Sequence, residues 1–353
     1  MKKIVVGMSG GVDSSVVAFL LKQEGYEVHG VTMRTWAEND ENMNKAIEDA
    51  KKVAECLGIQ HEVVDFSKEF KCNVVDNFIN EYLKGRTPNP CVRCNRFVKW
   101  QAILDYAKSK GINTIATGHY AKIIQRPNGR LSVACADSIK DQAYALWMLT
   151  QEQLQSTVMP LGKYDKDEIR DIAKEAKLPI ADKADSQDIC FIPDGDYGQF
   201  LVRMKGKEIE KCGEFVDPKG CVLGKHKGII HYTIGQRKGL GLSLKEPGYV
   251  TKLDVDGNKV VVGTNSDVFA KELVATDINY MGLNVDEKNI RCMAKIRYAH
   301  RGADCEVIFN DDNTVTVVFD EPQRAITPGQ SIVFYDAATW AILAGAVIVD
   351  KRK

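Results

Sequence analysis

Two groups of residues in this 353-residue chain have the types and spacing to do chemistry. The first is Ser9-Gly10-Gly11-Val12-Asp13-Ser14-Ser15, set between an apolar run, Ile4 to Met8, and an amphipathic run, Val16 to Gln23. That order predicts a buried strand, a glycine turn and a helix. At a helix start the free backbone N–H groups and the positive end of the dipole converge, so an anion is the natural occupant. Gly10 and Gly11 let the backbone close on a phosphate, and Ser9, Ser14 and Ser15 add hydroxyl donors. Asp13 is placed to orient a metal or to cap the turn. No lysine follows the glycines as in a G-x-x-x-x-G-K-[ST] loop. A glycine turn capping an ordinary Rossmann-type helix is the plainer alternative.

The second group is made of thiols. Cys91 and Cys94 form a Cys-x-x-Cys pair in the stretch Gly85 to Asn95, where Pro88 and Pro90 predict a rigid loop. An amphipathic helix is expected from Arg96 to Lys108, and thiols beside its start should have a lowered pKa. Zinc would need two more ligands at suitable spacing, and none lies nearby. Cys190 closes the segment Ala181 to Pro193, whose polar beginning and apolar end suggest a stretch reaching from solvent into a cleft. A surface Cys-x-x-Cys and a buried inert Cys190 are the bland alternatives.

The elements that must position these groups are strands alternating with helices. Strands are expected at Glu27–Met33, His61–Phe66 and Thr114–Thr117, and helices at Ala46–Leu57, to about Leu83, and Asp165–Ala176. Such alternation predicts a doubly wound parallel sheet, α/β in class, with its ligand at the carboxyl ends of the strands. Met33 and Gly118-His119 fall at two of those ends, although Met33 serves equally as plain core. Leu131–Ala136 reads as a hairpin strand, and Lys140-Asp141-Gln142 opens a helix Ala143–Leu149. Beyond about Arg203 glycines become frequent and short alternating runs take over, which predicts two small antiparallel β domains, the last barrel-like. The expected division is 1–202, 203–276 and 277–353.

Charge is balanced, 48 basic against 48 acidic residues, so no global excess advertises a nucleic-acid partner. From Arg203 to Lys245, however, ten Lys or Arg stand against four Asp or Glu. There Gly224 to Gly241 interleaves basic residues with Tyr and His, which suits phosphate contact and base stacking as well as a solvated basic turn. No apolar run of about eighteen residues and no cleavable signal pattern is seen, so a cytoplasmic location without membrane contact is expected. Ten scattered cysteines in a reducing compartment indicate reactive thiols, metal or cluster ligands, or apolar Cys rather than structural disulfides.

The first motif resembles the S-G-G-x-D-S signature of the PP-loop ATP pyrophosphatases, which cut ATP between the α and β phosphates and adenylate a substrate oxygen. With T-P-N-P-x-x-x-C-N, T-G-H-Y, D-S-Q-D-I-C-F and H-Y-T-I-G-Q-R-K-G-L-G in order, almost the whole chain is similar to the tRNA-specific 2-thiouridylases. The resemblance implies ATP-dependent replacement of oxygen by sulfur at C2 of the wobble uridine. It implies nucleotide contacts at Gly7, Met8, Ser9, Gly10, Gly11, Val12, Asp13 and Ser14, with Met33 and Gly118, and Mg²⁺ on the triphosphate. It makes Cys190 the persulfide carrier, charged by a sulfur-relay protein or cysteine desulfurase, and Cys94 the partner thiol, with a transient Cys94–Cys190 disulfide. It assigns the tRNA anticodon stem-loop to Asn89, Pro90, Cys91, His119, Lys140, Asp141, Gln142, Arg297, Tyr298 and Gln330.

One departure is Cys91, where the commonest pattern of the family has Asp, a carboxylate suspected of acid–base work. Two routes follow. Either Cys91 is a weaker acid–base or spare redox thiol beside persulfide chemistry, or Cys91, Cys94 and Cys190 hold three irons of a [4Fe–4S] cluster. The persulfide is preferred, because a low-pKa thiol pair suffices for sulfur exchange. Other adenylating PP-loop enzymes, such as a tRNA lysidine synthetase or an amidotransferase-type synthetase, need no thiol pair. A catalytically silent RNA-binding paralogue that uses ATP only as a structural ligand is the alternative from another class, and the presence of the phosphate loop together with both thiols argues against it.

Overall fold

The computed structural model describes residues 2–38, 40–184 and 189–352. Asp185 to Asp188, the first four residues of D-S-Q-D-I-C-F, lie outside the described residues.

The first unit is the expected doubly wound sheet. β1 (Lys3–Gly7) leads through the glycine turn into α1 (Val12–Gln23), then β2 (Glu27–Arg34), α2 (Glu41–Leu57) and β3 (Gln60–Asp65). A continuous helical run, α3 (67–83), follows, with a π-helical stretch at Lys71–Val75. After it, α4 spans 90–109 and contains a second π stretch, Asn95–Trp100. β4 (Ile115–Ala116), the hairpin β5 (Ala121–Gln125) and β6 (Leu131–Cys135), β7 (Thr157–Val158) and α5 (Lys166–Glu175) complete the unit, and α6 (Tyr197–Lys205) leaves it. The sheet order is β3-β2-β1-β4-β7, and every pairing is parallel. Chain direction across the sheet reverses between β1 and β4, the place where such sheets open a ligand crevice. Ile4, Val5 and Val6 are fully buried, as a strand covered on both faces requires.

Two expectations fail here. The rigid loop at 85–95 is helical from Pro90 onward, because Pro90 occupies the first helical position, where a missing N–H is harmless. Asn89 caps it, its Oδ1 accepting from the Cys91 N–H at 3.1 Å. The helix expected at Ala143–Leu149 is only a 3₁₀ turn, Ala143–Leu146.

The second unit is a four-stranded sheet of β8 (Gly213–Val216), β9 (Val222–His226), β10 (Tyr249–Asp254) and β11 (Lys259–Gly263), in the order β10-β11-β8-β9. Its β11–β8 pairing is parallel, so the sheet is mixed rather than purely antiparallel. The third unit is a closed antiparallel barrel of β12 (Phe269–Asn279), β13 (Asn289–Lys295), β14 (Ala303–Phe309), β15 (Val315–Arg324), β16 (Ser331–Tyr335) and β17 (Ile342–Arg352). The expected boundary at 276/277 falls inside β12, which pairs with both β15 and β17. We therefore place the division between Gly263 and Phe269. Strand β12 escapes the alternation rule because its 11 residues carry two register shifts against β17.

The barrel shares a core with the first unit. Tyr144 and Trp147 pack with Met281, Val333, Tyr335 and Ile342. The Trp147 indole N–H donates to Ser331 Oγ at 2.9 Å, and the Tyr144 hydroxyl donates to the Ser331 carbonyl at 2.7 Å.

Candidate active site and nucleic-acid face

The phosphate loop has the geometry its residues imply. Gly11 is extended (φ −101°) immediately before α1, and no side chain caps the helix start, so its first N–H groups face the crevice. Ser9 N–H is satisfied by Ser14 Oγ at 3.1 Å, and the Ser15 hydroxyl donates to the Gly11 carbonyl at 2.8 Å. Gly10 has φ +68°, and a Cβ there would lie 2.2 Å from the Ala46 carbonyl of α2. Gly118, just past β4, is also pressed on the start of α1: its Cβ would lie 2.8 Å from Ser14 N. Met8 and Val12 are buried in the core beneath, so only their backbones face a ligand.

Asp13 is already occupied. Lys166 approaches both of its carboxylate oxygens, at 2.7 and 2.9 Å, and the Tyr120 hydroxyl donates to Oδ1 at 2.7 Å. Lys183 donates to the Gly10 carbonyl at 2.9 Å and to Asp49 Oδ2 at 2.6 Å. Neither lysine was indicated by the sequence, since both arrive from more than 150 residues away.

The thiols gather at the same edge of the sheet. Cys94 packs in one apolar cluster with Phe191 and Ile192, with Met33 and Ile189 against it, so the residues flanking Cys190 close over Cys94. Cys91 and Cys190 are exposed, Cys94 buried. Burial pushes the Cys94 thiol up to about 12, with the nearby Lys99 opposing. Desolvation also raises Cys190, again opposed by Lys99, although part of the residue reaches solvent. The expected low-pKa pair is therefore corrected. Cys94 does not stand at a helix start but inside the continuous run 90–109, beneath aromatic rings, where desolvation outweighs the dipole. Among the described residues no three His, Cys, Asp or Glu side chains are gathered as metal ligands.

The tRNA-contact candidates, scattered in sequence, converge where the three units meet. Gln330 of the barrel donates to the Thr87 carbonyl at 2.7 Å, and Thr233 of the second unit hydrogen-bonds the Thr87 hydroxyl. The Tyr298 hydroxyl donates to the Asp141 carbonyl at 2.8 Å, and Arg297 to the Arg324 carbonyl at 2.9 Å. Asp141 Oδ1 holds the 136–143 turn by accepting from the N–H groups of Ala136 and Ala143. Lys140 is exposed on that turn, while Gln142 is tied to Tyr120 through both backbone and side chain. Asn89 is half-buried as a cap, Pro90 is buried, and Cys91 is exposed beside them. His119 packs at a tilt of 53° against Trp100, with the ring centroids 5.0 Å apart, and is hydrogen-bonded to Thr117 Oγ1 at 3.0 Å, and burial holds its ring well below the usual imidazole range, hence neutral.

The basic stretch 224–241 is corrected in part. Only Val222–His226 is strand, and the remainder is a 3₁₀ turn and loop. His226 and Tyr232 are buried in the second unit with Phe215 against both, and His231 is buried beside Gly198 of α6, its Nε2 2.8 Å from Glu210 Oε1, so none of the three is exposed for stacking on bases. Lys225, Lys227, Arg237, Lys238 and Lys245 remain exposed.

Three family models match consecutive parts of the chain: a tRNA methyl transferase HUP domain over residues 2–194, a tRNA methyl transferase PRC-barrel domain over 199–264, and an aminomethyltransferase β-barrel domain over 270–348. The gap between the last two coincides with the division placed before β12. Among curated proteins, the tRNA-specific 2-thiouridylase MnmA of Lachnoclostridium phytofermentans is 47% identical over 99% of this chain and 100% of its own length. The protein of the same name from Acetivibrio thermocellus is 49% identical over 98% of this chain and 99% of its own length. That from Clostridium botulinum strain Alaska E43 is 48% identical over 98% of each. With the phosphate loop, the thiols and the three-unit layout all in place, the chain belongs to the tRNA-specific 2-thiouridylase family.

Proposed function

We propose that this enzyme, a tRNA-uridine 2-sulfurtransferase, uses ATP to adenylate O2 of the wobble uridine and then displaces the activated oxygen with sulfur carried on Cys190. The carbonyl oxygen of uracil is a poor leaving group, and bonding it to the α phosphorus lets it depart as AMP while pyrophosphate leaves first. The loop at Gly7 to Ser14, with Gly118 closing on it, would hold the phosphates, and Met33 would pack near the adenine. Magnesium would ride on the triphosphate, since Asp13 is engaged by Lys166 and Tyr120. In the transfer, the Cys94 thiolate attacks the sulfur of Cys190 in its persulfide, a Cys94–Cys190 disulfide forms, and the terminal sulfur departs as hydrosulfide to C2. An external reductant then restores both thiols.

The single observation carrying this reading is the packing of Cys94 with the residues flanking Cys190, 96 positions later, in one cluster that includes Met33 at the crevice. In the free enzyme burial pushes the Cys94 thiol up to about 12, which favours its protonated form before substrate is bound. The exposed residues on the 136–143 turn, Tyr298 and the basic loop of the second unit would hold an anticodon stem-loop, with the base extruded from its stack. Persulfide is supplied by a relay protein or a cysteine desulfurase, in the cytoplasm where tRNA is found. No described helix is long and apolar enough to cross a membrane.

Purified enzyme, unmodified tRNA, ATP and a persulfide donor should yield 2-thiouridine by nucleoside mass spectrometry, with pyrophosphate released only when tRNA is present. Cys94→Ser and Cys190→Ser should both abolish sulfur incorporation while retaining pyrophosphate release. Full activity in either variant would refute the thiol pair. Iron and acid-labile sulfide in anaerobically purified, active protein would replace the persulfide with the cluster.

A further inference from the structure

We propose that Lys183 is the phosphate-binding lysine of this site, delivered from far along the chain in place of the lysine that a G-x-x-x-x-G-K-[ST] loop carries within itself. The inference rests on reading the loop as an ATP site. Cleavage between the α and β phosphates forms a bond from the uracil oxygen to the α phosphorus and breaks the bond to the bridging oxygen, whose electron pair leaves with pyrophosphate. A helix start offers roughly half a positive charge against that developing anion. A mobile ammonium beside it is the missing countercharge, and the sequence places none within the loop.

Two lysines touch the loop, and their surroundings separate their roles. Lys166 is 12% exposed and contacts both oxygens of Asp13, whose second partner is the Tyr120 hydroxyl. It neutralises a carboxylate that would otherwise repel phosphate at the start of α1. Lys183 is 34% exposed and uses two of its three ammonium protons, on the Gly10 carbonyl and on Asp49. Among the described residues nothing accepts the third.

The position of Lys183 is built rather than incidental. α2 is locked against the loop, because any Cβ on Gly10 would strike the Ala46 carbonyl. Asp49 lies three residues further along the same face of α2, and so reaches the ammonium from below. Gly10 itself holds a left-handed conformation (φ +68°) in which its carbonyl is taken by Lys183. The lysine thus holds a carbonyl dipole at the very turn that must receive an anion, and its remaining proton is available to a β-phosphate oxygen.

The test is calorimetric binding of two probes, inorganic pyrophosphate and adenosine, to the full chain. Lys183→Met should weaken pyrophosphate at least tenfold and leave adenosine within twofold, and Lys183→Arg should recover most of the loss. Asp49→Asn keeps the ammonium while removing its carboxylate partner, so pyrophosphate affinity should hold or rise. If Lys183 is only a structural tie to α2, Asp49→Asn will instead mimic Lys183→Met, and that result overturns the proposal even where the methionine variant fails to fold. Unchanged pyrophosphate binding in Lys183→Met, or equal losses for both probes, also overturns it. Wild-type protein that binds neither probe refutes the ATP reading itself, an outcome distinct from failure of the lysine alone.

Discussion

Substitution of Gly118 by alanine gives the sharpest test of how the crevice is assembled. The added Cβ would lie 2.8 Å from Ser14 N and 3.1 Å from both Asp13 C and Ser14 Cα, all backbone atoms. Comfortable contact is about 3.5–4.0 Å, so either the strand end or the helix start must move by roughly 0.5–1 Å. The helix cannot retreat, because Ser15, Val16 and Val17 are fully buried on the sheet. Overpacking of this kind costs about 1–3 kcal/mol, or roughly 3–10 °C in the melting temperature of a unit this size. Displacing one N–H that meets a charged phosphate forfeits about 1.5–3 kcal/mol more in binding, a tenfold to hundredfold loss of ATP affinity. Gly11→Ala is the contrast. Its φ of −101° suits any residue, and its Cβ would meet only the rotatable Ser9 hydroxyl at 3.4 Å, so a stability loss of about 1 kcal/mol or less is expected. Differential scanning calorimetry and titration with a non-hydrolysable ATP analogue read both quantities. A Gly118→Ala protein that melts within 1 °C of wild type, to order of magnitude the resolution of the comparison, and binds the analogue equally well would refute this packing argument.

Alkylation of the free enzyme by iodoacetamide at pH 8 should spare Cys94. A thiol near 12 is ionised roughly a thousandfold less than an ordinary exposed one, and peptide mass spectrometry should show Cys56 and Cys212 modified first. Equal rates would remove burial as the control on Cys94. Acid should destabilise the fold below about pH 6.5, because His119 is held neutral while the unfolded chain takes up the proton, and stability present above that pH is lost as pH falls. Urea titrations from pH 7.5 to 5 should show a shallower decline in His119→Asn than in wild type, by up to about 1.4 kcal/mol per pH unit. His61, His226 and His300 are lowered by burial in the same sense and add to the slope. Parallel curves for the two proteins would refute the assignment to His119.

Much of this molecule is set by local sequence. Ile4 to Ser15 can only be a buried strand, a glycine turn and a helix with an anion-binding start, and the alternation that follows commits the first unit to a parallel sheet. The period-two runs beyond Arg203 likewise announce β structure and the final barrel. Local signals mislead where one residue obeys two rules: Pro90 forbids a helix interior yet favours a first turn, and only the cap at Asn89 decides between them. Tertiary structure alone decided the state of the thiols, because the helix dipole at Cys94 is a local property while desolvation depends on Phe191 and Ile192, folded over it from 97 and 98 residues away. It also decided the charge at the phosphate loop. Lys166 and Lys183 carry no signature in their own neighbourhoods, and become part of the site only because α5 and the segment after it return to the reversal point of the sheet, where β1 and β4 part.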